Sequence, residues 1–355
     1  MRLPTHCPGA VLACLAMLGV AASGQAQGRF ALGRDEVVVF AGGTNMVRLQ
    51  QAGYLEATMT RAFASARPRF RDLSWEADTV FRQGSVIERW RKDGFGGRDD
   101  QLKRVGATVV IAQFGRLESR AGPQGLGEFT RAYEQLIDAF QKQARQVVLL
   151  TPTPFEKPPS PLIPDLSTRN DDLALYVRAI AKIAADRRLV LVDLFSGSRG
   201  GLTDNGMHVK PEAQAHVARV IARQLGLGPP AKTDLEPLRR AVIEKHRLWY
   251  DYWRPANWKL LYGDDSRRVF TRGGANSVPF REEWMKLLPL VSRAEQRAWQ
   301  IARGGKDPGH GRPAPEVLHA APDADIKTEL ASFSVPEGFE VNLFAGEEQF
   351  PDIAA

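Results

Sequence analysis

Four short, almost uninterrupted apolar runs, separated by longer amphipathic stretches, limit the folds open to this chain more than any other feature. They are Glu36–Phe40, Val105–Phe114, Val147–Thr151 and Leu189–Leu194. Each is too apolar to be a strand with one wet face, and together they read as parallel strands buried on both sides. The stretches between them supply the cover. Gly127 to Ala144 carries Phe129, Tyr133, Leu136, Ile137 and Phe140 at helical spacing, and Asp171 to Asp186 and Pro211 to Leu225 form two further helices. Strands alternating with helices predict an α/β fold of three layers around a parallel sheet, with its site at the carboxyl ends of the strands.

The 355 residues allow one good core and a second unit. Residues 1–26 read as a secretory signal peptide: Arg2 gives a basic start, Val11 to Ala22 is apolar, and Gly24 and Ala26 suit cleavage near Gln27. The chain is therefore expected to be exported, to a periplasmic or extracellular location. Both cysteines, Cys7 and Cys14, fall in that leader, so the remainder is expected to hold no disulfide, no cysteine-ligated metal and no nucleophilic thiol. A lipid-anchored Cys14 is the rival reading; the apolar run continuing well past it argues against that. No later stretch is apolar enough to span a bilayer.

The formal charge of +7 does not point to nucleic acid, because the basic residues are mixed with acids, as in Arg98-Asp99-Asp100 and Arg281-Glu282-Glu283. His216, His246, His310 and His319 are too scattered for a metal site, and Gly94-Phe95-Gly96-Gly97 lacks the lysine of a phosphate loop. No cofactor is expected.

Gly226-Leu227-Gly228-Pro229-Pro230 closes the α/β domain, taken as 30–228. An aromatic-rich helical appendage follows over 229–303, with Trp249, Tyr252, Trp253, Trp284 and Trp299 expected to pack onto the main domain. The segment 304–355 reads as a Gly/Pro-rich linker, then a strand over Phe339–Phe344 that begins a further domain.

The candidate chemistry lies at the strand ends. The first strand runs into Gly42-Gly43-Thr44-Asn45, and a histidine, His208, follows Asp204-Asn205-Gly206-Met207 just before the last helix of the α/β domain. A hydroxyl on a strand-to-helix turn with a distant histidine is the layout of a nucleophile and its base. The bland alternatives are Thr44 as an ordinary helix N-cap, and Trp75-Glu76-Ala77-Asp78-Thr79 as a plain loop.

These segments resemble the blocks of the SGNH (GDSL-type) hydrolases over residues 36–226. The resemblance implies a flavodoxin-like α/β/α sandwich and ester hydrolysis by a Ser-His-Asp triad. It assigns Thr44 as nucleophile, His208 as base, Asp204 or Asn205 as the residue orienting it, and the backbone of Thr44, Ala77 and Gly115 to the oxyanion site. Four positions depart from the pattern. Thr44 replaces serine, Ala77 a glycine, Leu117 an oxyanion-binding asparagine, and Asn205 the aspartate three residues before the histidine. An asparagine there can select the wrong imidazole tautomer, and a lost side-chain donor typically costs about 10²–10³ in rate. Arg116 is the neighbour that could compensate.

Downstream, Glu244 to Trp249, Trp253 to Asn257 and Ser334 to Val341 resemble stretches of exported multidomain proteins of planctomycete type. In those a propeller similar to sugar dehydrogenases comes next, often followed by a haem domain. Two functional expectations follow. One is an exported ester hydrolase, weak or inactive, acting on a small-molecule or acetylated-carbohydrate ester. The other is a non-catalytic module of the same fold that binds a glycan or positions a downstream dehydrogenase-like domain.

Overall fold

A computed structural model describes residues 29–81, 97–198, 200–228, 234–255, 258–263, 265, 280–309 and 326–342. The leader, both cysteines and Gly94-Phe95-Gly96 lie outside them. No helix among the described residues is long and apolar enough to cross a membrane. Residues up to Asp307 form one compact unit that includes the C-terminal helices as well as the sheet.

The sheet has five parallel strands: β1 (Val37–Gly42), β2 (Arg69–Asp72), β3 (Val109–Gln113), β4 (Gln146–Leu150) and β5 (Val190–Val192). Their order, β2-β1-β3-β4-β5, is the flavodoxin-like one. In chain order the helices are α1 (Thr44–Ala52), α2 (Tyr54–Ala62), α3 (Arg98–Val105), α4 (Leu126–Gln141), α5 (Asn170–Asp186), the single turn α6 (Leu194–Gly197), α7 (Pro211–Gln224), α8 (Glu236–Trp253), α9 (Trp258–Tyr262), α10 (Phe280–Met285), α11 (Leu287–Ala302) and, in the second unit, α12 (Ile326–Ser332).

Alternation along each strand builds two cores. Val39, Ala41, Val110, Ala112 and Leu149 face Phe129, Tyr133 and Phe140 of α4 and Tyr176 and Ile180 of α5. Val38, Phe40, Val109, Ile111 and Val148 face Met46 of α1, Leu55 and Met59 of α2, and Val217 and Ile221 of α7. The expected three layers are therefore present.

Three expectations need correction. Val105 ends helix α3 instead of starting a strand, and β3 begins only at Val109, after the left-handed turn at Gly106. Strand β2 was not anticipated. Its Arg-Phe-Arg-Asp sequence carries charge at three of its four positions, and Arg71 is accommodated by a bidentate pair with the buried Glu295 of α11 and by stacking on Trp249, 4.9 Å to the ring centroid. Of the strand expected over Phe339–Phe344, the described part, 339–342, is not in a strand. Phe339 instead closes a turn by donating to Pro336, and it is 73% exposed. A strand needs a partner for its backbone groups, and these residues have none within the described part of their own unit.

The C-terminal helices cover the open edge of β2. Arg69 and Leu73 donate their N–H groups to the carbonyls of Glu36 and Phe40 on the β1 side, which turns the carbonyls of the alternate residues Pro68, Phe70, Asp72 and Ser74 outward. Each of those is met by a side chain. Trp299 donates to Pro68 (2.9 Å), Lys245 to Phe70 (3.3 Å), Trp249 to Asp72 (2.8 Å) and Arg254 to Ser74. Four residues of helix advance about 6 Å and two of strand about 6.6 Å, so one helix can follow the edge carbonyl by carbonyl. Side chains here do what a sixth strand would otherwise do. The appendage thus packs onto the main domain as expected, but through donated hydrogen bonds as well as through its rings.

Candidate functional site

The strand order reverses between β1 and β3, and a crevice beyond their carboxyl ends is where ligands bind in open α/β sheets. Gly42 closes β1 there. A Cβ on it would lie 2.6 Å from the Gln113 carbonyl of β3, so the close approach of the two strand ends needs glycine. The chain then turns into α1, with Gly43 as N-cap and Thr44 as first helical residue. Thr44 is therefore not the cap. Its N–H donates to no acceptor among the described residues, and its hydroxyl accepts from the N–H of Ala77 at 3.3 Å.

Ala77 has φ +56, a left-handed conformation natural to glycine and rare for alanine. The residue is exposed, and its N–H is engaged by the Thr44 hydroxyl. The loop on either side is tied down. Trp75 donates to Gly42 (2.9 Å), Ser74 donates through its N–H to Asp72 Oδ1 (2.9 Å), and Asp78 takes two hydrogen bonds from Arg98 (3.1 and 3.2 Å).

His208 reaches the same end of the sheet on a small closed loop. Thr203 and Val209 form an antiparallel bridge, and Asp204 donates its N–H to the His208 carbonyl at 3.1 Å. Glu156 holds the base of this loop, accepting from the Leu202 and Thr203 N–H groups (2.9 and 2.8 Å) and from the Thr203 hydroxyl (2.6 Å). At the tip, Gly206 has φ +81, and a Cβ there would lie 2.5 Å from the Glu156 carbonyl. Asn45, next to Thr44, laces the two halves together. It donates to the Met207 carbonyl (3.2 Å) and accepts from the Val209 N–H (3.0 Å), the residues flanking His208.

Among the described residues, no hydrogen bond joins the Thr44 hydroxyl to the His208 ring. The ring is set by Asn205 instead. Asn205 Oδ1 accepts from the N–H groups of Met207 (3.0 Å) and His208 (2.8 Å), which fixes the orientation of the amide. Its Nδ2 consequently faces His208 Nδ1 at 3.0 Å. An amide nitrogen can only donate, so Nδ1 is the acceptor and the ring proton sits on Nε2. Burial, together with the nearby Arg48 and Arg116 cations, holds the His208 pKa below the ordinary histidine value. The tautomer thus leaves a donor at Nε2, the nitrogen where a hydrolase would have an acceptor.

The other expected participants are engaged elsewhere. Asp204 turns its carboxylate away from Nδ1 to Arg48 at 2.5 Å, so it does not orient the ring. The Gly115 N–H is taken by Glu118 Oε2 at 2.9 Å, which removes it from the oxyanion site. Glu118 also accepts from the Val80 N–H (2.9 Å), and its burial raises its pKa. Arg116 does not stand in for the missing asparagine. It donates to the carbonyls of Met207 and of Pro154 (2.7 Å) and lies over Phe155, 5.1 Å from the ring centroid. Burial brings its pKa down to about 10, which leaves it charged. Leu117, beside Arg116, offers no polar side chain. No group of His, Cys, Asp and Glu side chains that could hold a metal occurs among the described residues.

Asn45, Arg48 and Glu156 were missed in the sequence. Asn45 alone had a local signal, as a polar residue beside the strand-end threonine.

No family model matches the sequence, and no curated protein matches it. Among solved structures the chain is similar to a gut microbial diltiazem-metabolizing enzyme (TM-score 0.46, 13% identity, 57% of this chain and 50% of that one). It is also similar to a GDSL-like lipase from Parabacteroides merdae (TM-score 0.44, 13% identity, 57% and 100%) and to Axe2, an acetylxylan esterase from Geobacillus stearothermophilus (TM-score 0.42, 15% identity, 56% and 98%). The chain spans half the length of the first and nearly all of the other two. The likeness is one of fold, a parallel sheet between helices.

Proposed function

We propose that this domain of GDSL-type hydrolase fold binds an ester, with an acylated carbohydrate as the preferred class, and leaves the ester bond intact. The observation that carries the reading is the Asn205 amide nitrogen on His208 Nδ1. A triad histidine accepts the nucleophile's proton on Nε2, and with Nδ1 accepting from Asn205 that nitrogen already holds one. The same nitrogen can donate to a carbonyl oxygen. With the N–H of Thr44, which meets no acceptor among the described residues, it makes a pair of donors suited to an acyl group. The leader-like residues 1–26 support an exported location, and residues 334–341 support attachment to a larger exported protein, as in the resemblance above.

A second reading is retained because Ala77 donates to the Thr44 hydroxyl at 3.3 Å beside the switch point, where a nucleophile would stand. In that reading the chain is a slow ester hydrolase, with Thr44 attacking. The test uses the purified full chain with 4-nitrophenyl acetate and glucose pentaacetate. Binding of the sugar acetate, seen as shifts of the Thr44 and Ala77 amide resonances, with acetate release equal in wild type, Thr44→Ala and His208→Ala, supports the binding module. Release that is lost in both variants establishes the hydrolase in its place.

A further inference from the structure

Ala77 donates its N–H to the Thr44 hydroxyl (3.3 Å) from a backbone held left-handed, a conformation alanine rarely adopts. The 75–78 turn, closed by the Asp78 N–H on the Trp75 carbonyl (3.0 Å), favours it from within, and that turn is itself gripped from outside. The three residues before Ala77 are gripped by one side chain at the end of α8, 180 residues beyond Ser74 in sequence. Arg254, the residue that ends α8, donates to the Ser74 carbonyl, pairs with the Glu76 carboxylate, and lies over the Trp75 ring 4.5 Å from its centroid. Its other face lies 5.1 Å from the centroid of Tyr250, one helical turn back. The side chain is only 6% exposed. Three different chemistries, donor, cation and planar stack, thus act on residues 74, 75 and 76 in turn. Arginine alone among the side chains can supply all three at once.

We infer that Arg254 is a positioning residue for the candidate site, holding the 75–78 turn, with Ala77 left-handed, where its N–H meets the Thr44 hydroxyl, and that the C-terminal helices are therefore part of the site. The edge cover of β2 gives this grip its register. Lys245 and Trp249 fix α8 against Phe70 and Asp72, and Arg254 extends the same row one step beyond the strand. The inference rests on the proposed function only for the identity of the ligand; the backbone geometry stands apart from it.

The experiment compares wild type, Arg254→Ala, Arg254→Lys, Ala77→Gly and the double variant Arg254→Ala with Ala77→Gly, all in the full chain. The readouts are the amide resonances of residue 77, Thr44 and His208, the affinity for glucose pentaacetate, and thermal unfolding as a control for folding. Arg254→Ala is expected to move the resonances of residue 77 and Thr44 and to weaken the sugar acetate about tenfold. Arg254→Lys should recover little, because lysine lacks the planar fork. Glycine at position 77 adopts the left-handed conformation unaided, so the double variant should regain affinity to within about twofold of Ala77→Gly alone. A purely structural role for Arg254 predicts no such rescue. Unmoved resonances in Arg254→Ala, or a double variant as weak as Arg254→Ala, overturns the inference. If no variant and not the wild type binds the sugar acetate, the proposed ligand fails, and the rescue read from the Thr44 resonance still decides the role of Arg254.

Discussion

The side-chain amide of Asn205 points its nitrogen, not its oxygen, at Nδ1 of His208, 3.0 Å away. Two backbone N–H groups hold the oxygen, so the amide cannot turn over without losing both. The ring's tautomer follows from that single orientation. A site laid out as for a nucleophile and base is thereby left with a donor where the base would act.

Asn205→Asp reverses this. A carboxylate accepts at every position, so the ring proton should move to Nδ1, and the negative charge should raise the His208 pKa from its lowered value. The imidazole nitrogen shifts in a ¹⁵N spectrum read both changes. A ring that keeps its proton on Nε2 in the variant would refute the assignment of the tautomer.

The lowered pKa of His208 also has a consequence for stability. The unfolded chain takes up a proton near the ordinary value of 6.5, while the folded ring refuses it until the pH is lower. Stability should therefore fall as the pH drops below about 6.5, and the loss should level off below the folded pKa. Denaturant titrations of wild type and His208→Gln across this range should differ in slope, with the variant the flatter of the two.

Ala77→Gly should stabilise the fold by about 1 kcal/mol, because glycine adopts the left-handed conformation without strain. For a unit of this size that corresponds to a rise in Tm of roughly 2 °C. An unchanged or lower Tm would mean that the entropy glycine adds to the unfolded chain outweighs the relieved strain.

Lys245 and Glu56 form a buried ion pair, with Nζ 2.7 Å from Oε1 and 2.8 Å from Oε2, and His246 stands 3.3 Å from the same carboxylate. The Lys245 charge, aided by His246, keeps the Glu56 pKa below the usual range despite the opposing effect of burial. Removing one partner leaves a buried charge, so Lys245→Met should cost about 3–5 kcal/mol in unfolding free energy. Lys245→Met combined with Glu56→Gln should cost less than Lys245→Met alone, and a larger cost would show that the pair is not the source of the effect.

What the sequence determined by itself was local. The runs around Val38, Ile111, Val148 and Val190 show their strands because a side chain buried on both sheet faces must be apolar at every position. The stripe from Phe129 to Phe140 shows its helix because the 3.6-residue period is written in the chain. From these followed the layers of the fold and the placing of Thr44 and of the His208 loop at one end of the sheet. Tertiary structure decided what depends on a partner far along the chain. Strand β2 exists because Glu295 and Trp249 neutralise and cover its arginine, and because four helix-borne donors satisfy its outer edge. Asp204 faces Arg48, 156 residues earlier, and so leaves the imidazole to Asn205. Periodicity records which face of an element is buried; it carries no record of which polar atom will be met there, and at this site that atom, the Asn205 amide nitrogen, sets the tautomer of the His208 ring.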